Sequence, residues 1–205
     1  MNKPFQKIFF DPYLFFSLFL LSTLGLFFLF SASNADINLV LKQMIYVIAG
    51  FTIMILISQP DPDIFKRTSG LFLIFSFLLL GITYLYGPEI NGAQRWVRLG
   101  PFSFQSSEFL KLSVPIFLAN FLFDKKLPIQ RNEIIISLMI IFCCFFLVFR
   151  QPDLGTALII ACSGLFVLFL SGLSWTFIGG SFVVLIISSP FIWNILLQPF
   201  QRQRI

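Results

Sequence analysis

Between Asn91 and Lys111 the chain reads NGAQRWVRLGPFSFQSSEFLK, which sets Arg95, Arg98, Glu108 and Lys111 in a sequence that is otherwise almost pure hydrocarbon. A second polar group, RQPDLGT, brings Arg150 and Asp153 together, and Arg202 and Arg204 stand close to the last residue. Guanidinium and ammonium groups bind oxyanions through charge-assisted hydrogen bonds, so cations gathered at helix ends point to an anion-binding surface. Their competing use is plainer: long cationic side chains anchor helix ends at lipid headgroups while their stems lie along apolar surface. The chain has no histidine, which leaves proton transfer near neutral pH to Asp or Glu. Spacing alone supports a polar cavity lined by carboxylates and cations, and no particular reaction.

The elements that must hold these groups follow from composition. Hydrophobic residues make up 58% of the 205, aromatic residues 18% and charged residues 11%, where soluble domains carry roughly 25% charged. That balance excludes an ordinary soluble domain and predicts an all-α polytopic membrane protein. A spanning helix needs about 20 mostly apolar residues, because backbone polar groups in the bilayer core must be satisfied within their own segment. Seven runs qualify: Tyr13 to Ser31, Val40 to Ser58, Leu71 to Tyr86, Phe109 to Phe123, Ile134 to Phe149, Leu154 to Ser171 and Thr176 to Leu197. The third, fourth and fifth are short. Lys3 and Lys7 before the first run and SASNA after it resemble a secretory signal. Its apolar stretch exceeds the usual core of about 7–15 residues, so a retained helix is expected. Cys143, Cys144 and Cys162 lie inside runs and read as small packing residues rather than a disulfide or metal set. The 30 phenylalanines fit A/T-rich codon usage, shared with Ile, Lys and Asn, better than an aromatic binding surface.

With a cytoplasmic N-terminus, the inside carries Lys3, Lys7, Lys66, Arg67, Lys125, Lys126 and Arg131. The outside carries Lys42, Arg95, Arg98, Lys111, Arg150, Arg202 and Arg204. The even split leaves the positive-inside rule undecided. The inside charges sit in DPDIFKRTSG (Asp61 to Gly70) and FDKKLPIQRNE (Phe123 to Glu133), which read as turns; the outside ones cluster where helices begin or end. RWVRLGPFSFQ alternates on both sides of Gly100-Pro101, predicting a short hairpin-like loop of two extended pieces, packed on protein or at the water interface. Ser106 or Ser107 is expected to cap the next helix, with Glu108 at its positive end and paired i,i+3 with Lys111. Pro115 should bend or interrupt that helix. Pro152 should hold Gln151 extended, and Asp153 should cap the helix carrying Gly155 and Thr156. The phrase QPD also occurs at Gln59 to Asp61, too short a match to count as a repeat.

Taken together, NGAQRWVRLGPFSFQSSEFLKL, QPDLGTALII and SGLSW followed by QRQR resemble the SEDS family (shape, elongation, division and sporulation), on its RodA-like rather than its FtsW-like branch. The resemblance implies a peptidoglycan glycosyltransferase of the bacterial inner (plasma) membrane. Such an enzyme polymerises lipid II on the outer face for elongation and cell shape, with undecaprenyl pyrophosphate as leaving group. It works in complex with a class B penicillin-binding protein, and with no nucleic acid. The cofactor stays open, a divalent cation being one option. By resemblance, Arg95, Trp96, Glu108 and Lys111 match the family's polar outer motif, Asp153 its QPD motif, and Arg202 and Arg204 the basic residues that open a large periplasmic loop. Arg95 and Lys111 are expected to hold pyrophosphate oxygens, with Glu108 orienting Lys111. Ser106 stands where the family usually has the proline of QPSE. The family's membrane domain has about ten spanning helices, and its catalytic aspartate lies in the loop that follows the position of Ile205. Residues 1–205 are therefore expected to form a single transmembrane domain, the N-terminal part of the family fold, with no catalytic residue and no activity alone. None of the outward acids Asp36, Glu89, Glu108 and Asp153 is assigned as catalytic base. The rival classes are a lipid II flippase and a non-catalytic scaffold of the cell-wall synthesis complex. A flippase path should carry charge through the bilayer depth, whereas here the span interiors are nearly charge-free.

Overall fold

A computed structural model of the chain describes residues 11–90, 93–99 and 102–177, with Gly179, Gly180, Val183 and Ile187 beyond them. The described residues fall into two compact units, divided between Ile64 and Phe65.

The first unit holds α1 (Pro12–Ala32) and α2 (Ile37–Ser58). Each starts at an aspartate. Asp11 Oδ1 accepts from the N–H groups of Tyr13 (2.9 Å) and Leu14 (3.2 Å), and Asp36 Oδ1 from those of Asn38 (2.9 Å) and Leu39 (3.4 Å). A carboxylate there satisfies N–H groups that have no partner inside the helix and sits at the positive end of the dipole. Neither helix buries a residue. Apolar side chains on all sides are what a lipid-facing span requires. Phe51 of α2 meets Phe15 edge-on at 5.3 Å and Phe19 at 6.5 Å, joining the two helices.

The second unit contains most of α3 (Pro62–Tyr86), a two-strand ladder of β1 (Glu89–Ile90) and β2 (Ala93–Gln94), and a hairpin of β3 (Trp96–Leu99) and β4 (Phe102–Gln105). The helices α4 (Ser106–Phe123), α5 (Arg131–Arg150) and α6 (Leu154–Leu170) follow. The hairpin is antiparallel, with Trp96 opposite Gln105 and Leu99 opposite Phe102, as the alternation around Gly100-Pro101 predicted. Five helices, α1 to α5, are long and apolar enough to cross a membrane; α6, at 17 residues, is shorter. The seventh predicted run falls largely outside the described residues; within it Thr176, Phe177, Gly179, Gly180, Val183 and Ile187 are described and are helical.

Three boundaries differ from expectation. DPDIFKRTSG is no turn: α3 starts at Pro62, and Asp61 Oδ1 accepts from the N–H of Asp63 at 3.1 Å. Polar residues near a helix start lower its hydropathy without disturbing its backbone bonds, so α3 is longer than its apolar run. The same holds for α5, which begins at Arg131. The helix α4 continues through Pro115 without interruption. Its cap is Gln105, extended at φ −97° and ψ 124°, with no side-chain bond to the helix N–H groups. Ser106 and Ser107 are instead the buried first residues of the helix. Strand β4 runs straight into α4, which leaves the serines no capping position.

Helix α4 is the most enclosed element of this unit, with Leu110, Val114, Leu118 and Leu122 buried along one face. Small residues let the helices approach. Ser76 and Thr83 of α3 are buried, and each hydroxyl donates back to its own helix, to Phe72 O at 2.8 Å and Leu79 O at 2.7 Å, which keeps it satisfied away from water. Asn120 Nδ2 donates across to Ser69 Oγ at 2.9 Å, joining α4 to α3. At Gly164 of α6 there is no room for a side chain: a Cβ built there would stand 2.6 Å from Ile141 Cγ1 of α5 and 3.3 Å from Leu118 Cδ1 of α4. At the far end of α6, Gly172 has φ +98°, and the N–H groups of Gly172 and Leu173 donate to Phe169 O (3.0 Å) and Leu168 O (3.1 Å). That left-handed cap closes the helix and brings the chain against Pro128.

Candidate functional site

Of the polar residues singled out in the sequence, Arg95, Trp96, Glu108, Lys111, Arg150 and Asp153 lie at one end of the second unit, where α3 and α5 finish and α4 and α6 begin. The hairpin is fastened there by apolar and polar contacts. Phe104 of β4 lies edge-on to Phe109 of α4 at 5.8 Å, and Phe109 in turn meets Phe75 of α3 at 5.9 Å. Arg95, between β2 and β3, reaches the turn joining α5 and α6: its Nε donates to the Gln151 carbonyl at 2.9 Å and its Nη2 to the Pro152 carbonyl. The last carbonyls of a helix have no partner within it, and a cation beside them also answers the negative end of the dipole. Arg95 therefore closes α5 from outside its own sequence neighbourhood.

Asp153 completes the joint. Its Oδ1 accepts from the Thr156 N–H at 3.3 Å, capping α6 as predicted, and its Oδ2 accepts from Gln105 Nε2. Gln105 Nε2 also donates to Ser107 Oγ at 2.9 Å, which takes the link on to the first turn of α4. Gln151 is not extended, contrary to expectation. It serves as the C-cap of α5 with φ −86° and ψ 28°, its N–H donating to Val148 O at 3.0 Å, because the chain must turn through Gln151 and Pro152 to start α6.

Glu108 and Lys111 form the predicted i,i+3 pair, with Oε2 and Nζ 2.7 Å apart. It is the one ion pair among the described residues. Arg150 and Asp153, neighbours in sequence, do not pair, since Asp153 is turned to Gln105 and Thr156. Trp96, half-buried, opens β3 and faces Gln105 in the register. Arg202 and Arg204 lie outside the described residues. The structure thus brings Arg95, Trp96 and Asp153 together through Gln105 and the α5–α6 turn, with Glu108 and Lys111 on the first turns of the adjoining α4. Sequence reasoning passed over Gln105 and Gln151. The available signal was polarity: each is a glutamine at the edge of an apolar helix.

No group of acidic or cysteine side chains among the described residues is arranged to hold a metal ion. Asp36 and Asp153 are engaged as helix caps, and Glu108 is neutralised by Lys111.

A family model described as "Cell cycle protein", for FtsW, RodA and SpoVE, matches residues 12–205. The chain is 36% identical over 200 residues to the peptidoglycan glycosyltransferase MrdB of Escherichia coli, covering 98% of this chain and 54% of that protein. It is 31% identical over 191 residues to stage V sporulation protein E of Bacillus subtilis, covering 84% and 52%. Among solved structures it is similar to a chain from a peptidoglycan synthase complex of polymerization and crosslinking, with a TM-score of 0.81, 28% identity, and 96% of this chain and 58% of that one covered. The rod shape determining protein RodA of Thermus thermophilus gives a TM-score of 0.78 and 27% identity over 88% of this chain and 60% of that one. The chain spans about half the length of the curated relatives it matches. On the family match and the identity to these relatives, it belongs to the FtsW, RodA and SpoVE family of cell cycle proteins.

Proposed function

We propose that this chain is the N-terminal part of a RodA-like peptidoglycan glycosyltransferase that polymerises lipid II on the outer face of the plasma membrane. It acts as a single membrane domain with a cytoplasmic N-terminus, beside a class B penicillin-binding protein that cross-links the product. Two similarities support the reading: a relative named as a peptidoglycan glycosyltransferase and a structural neighbour from a peptidoglycan synthase complex. The observation that carries the site is the 2.7 Å pair of Glu108 and Lys111, on the helix that the hairpin feeds directly. Glu108 fixes the ammonium, which then meets a pyrophosphate oxygen without first losing its own freedom. Arg95 holds the hairpin against the α5–α6 turn with two N–H groups; a guanidinium carries five, and three remain for phosphate oxygens. Trp96, Asp153 and Gln105 keep that wall in place, and Arg202 and Arg204 add positive charge from the following segment. The base that takes the acceptor's proton belongs to the part of the family fold beyond Ile205.

The test is binding and polymerisation of labelled lipid II by the protein produced at the length of its relatives, with Lys111→Ala beside it. Losing one charge-assisted phosphate contact should weaken lipid II binding about tenfold or more. Thermal stability should barely move, because an i,i+3 pair contributes about 0.2–0.5 kcal/mol. Normal lipid II binding by a folded Lys111→Ala protein would make the pair a helix-start device and sink this assignment.

A further inference from the structure

A cavity of about 670 Å3 lies between α3 and α5 near the hairpin end. Its deeper walls are Phe77 and Leu80 of α3 and Phe146 and Leu147 of α5, and its upper end is Arg150 and Gln151. Two features of that upper end call for a ligand. The Gln151 side chain is only 4% exposed, yet its Nε2 has no hydrogen-bond partner, and a buried unpaired donor costs about 1–3 kcal/mol. Arg150, exposed at the end of α5, carries a charge that no carboxylate among the described residues pairs, which leaves its guanidinium open to an anion from the cavity mouth. Both groups are donors, so the missing partner is an acceptor and, beside a guanidinium, an anionic one. The carbonyls just past α5, those of Gln151 and Pro152, are already taken by Arg95 and do not face an anion unpaired.

The rest of the cavity says what kind of anion. From Gln151 to Phe146 is five residues, a descent of about 7–8 Å along the helix axis. Below its polar rim the wall is aromatic and aliphatic. A soluble anion would leave that part empty, whereas an amphiphile would set its head on Arg150 and Gln151 and lay its first methylenes along Phe77 and Leu147. We propose that the α3–α5 cavity holds a membrane glycerophospholipid with an anionic head, its phosphate accepting from the Arg150 guanidinium and, on rotation of the buried Gln151 side chain into the cavity, from Nε2. The ligand is a resident lipid and is independent of glycan polymerisation.

Native mass spectrometry of the full chain in detergent tests this, with phosphatidylglycerol, phosphatidylcholine and tail-less glycerol phosphate as separate probes. Phosphatidylglycerol should be retained at least about tenfold better than phosphatidylcholine, and glycerol phosphate should not be retained. Arg150→Gln should lower phosphatidylglycerol retention about tenfold. Gly81 also lines the cavity, and a Cβ there meets nothing within 4 Å, so Gly81→Leu should fill the space and abolish retention without lowering the lipid-free melting temperature. Equal retention of the two lipids, retention untouched by either variant, or glycerol phosphate binding that survives Gly81→Leu would each overturn the proposal.

Discussion

Asp153 divides its two oxygens between two tasks, one capping α6 and the other receiving Gln105 from the hairpin side. The chain has nine acidic residues, and Asp11, Asp36, Asp61 and Asp153 all accept backbone N–H bonds where a helix begins. For most of these, capping alone accounts for the residue; for Asp153 it does not. Asp153→Ala should lower stability by more than the roughly 1 kcal/mol of an ordinary cap, because Gln105 loses an acceptor as well. Asp153→Asn keeps an oxygen for Thr156 and should recover part of that loss. Thermal unfolding of the two variants in detergent separates the contributions: the gap between Asn and Ala reads the cap, and an Asn variant as stable as the unsubstituted protein would mean that the Gln105 contact contributes nothing. The capping role was legible in the sequence because Asp before an apolar run has a local cause. The partners of Arg95 were not: they are main-chain carbonyls, which carry no sequence signature, and they lie 56 and 57 positions away.

Among the helices, contact distance is set by small residues. Gly164 allows α6 to lie on Ile141 of α5 and Leu118 of α4. Gly164→Val should therefore overpack this contact at a cost of about 1–3 kcal/mol. Gly155→Val, at a position where a Cβ meets nothing within 4 Å, should cost much less. Melting temperatures that fall equally would show that helix propensity, and not packing, sets the loss. The apolar runs located all six described helices, since a bilayer demands long uninterrupted hydrogen bonding. They misplaced the start of α3 because Asp63, Lys66 and Arg67 look like turn residues, although Lys66 lies 3.5 Å over the Phe123 ring from within the helix. The hairpin was legible for the opposite reason: alternation and Gly-Pro report local geometry directly. Its attachment to α5 and α6 depends on tertiary contacts that neither signal encodes.

For the molecule as a whole, the proposed orientation puts the hairpin outside and the loop before α5 inside. With Cys143, Cys144 and Cys162 replaced by alanine, a membrane-impermeant maleimide added to intact cells should label Gln94→Cys and spare Gln130→Cys. The reverse pattern would invert the topology and move the site to the cytoplasmic face. The two polar bonds from Arg95 also impose an order on biosynthesis. A ribosome adds about 5–20 residues per second, so the hairpin emerges roughly 3–11 s before the carbonyls that hold its arginine exist. Through that interval the nascent loop has its own ladder, the Gln105 bond to Ser107 and the Phe104–Phe109–Phe75 contacts to settle it, but no tie to the second half of the bundle. Arrested chains ending before Gln151 should be cut by added protease between Gln94 and Gln105, and chains arrested after α6 has inserted should resist. Closure of the loop would then serve as a clock for translation, marking the moment at which the second half of the bundle arrives.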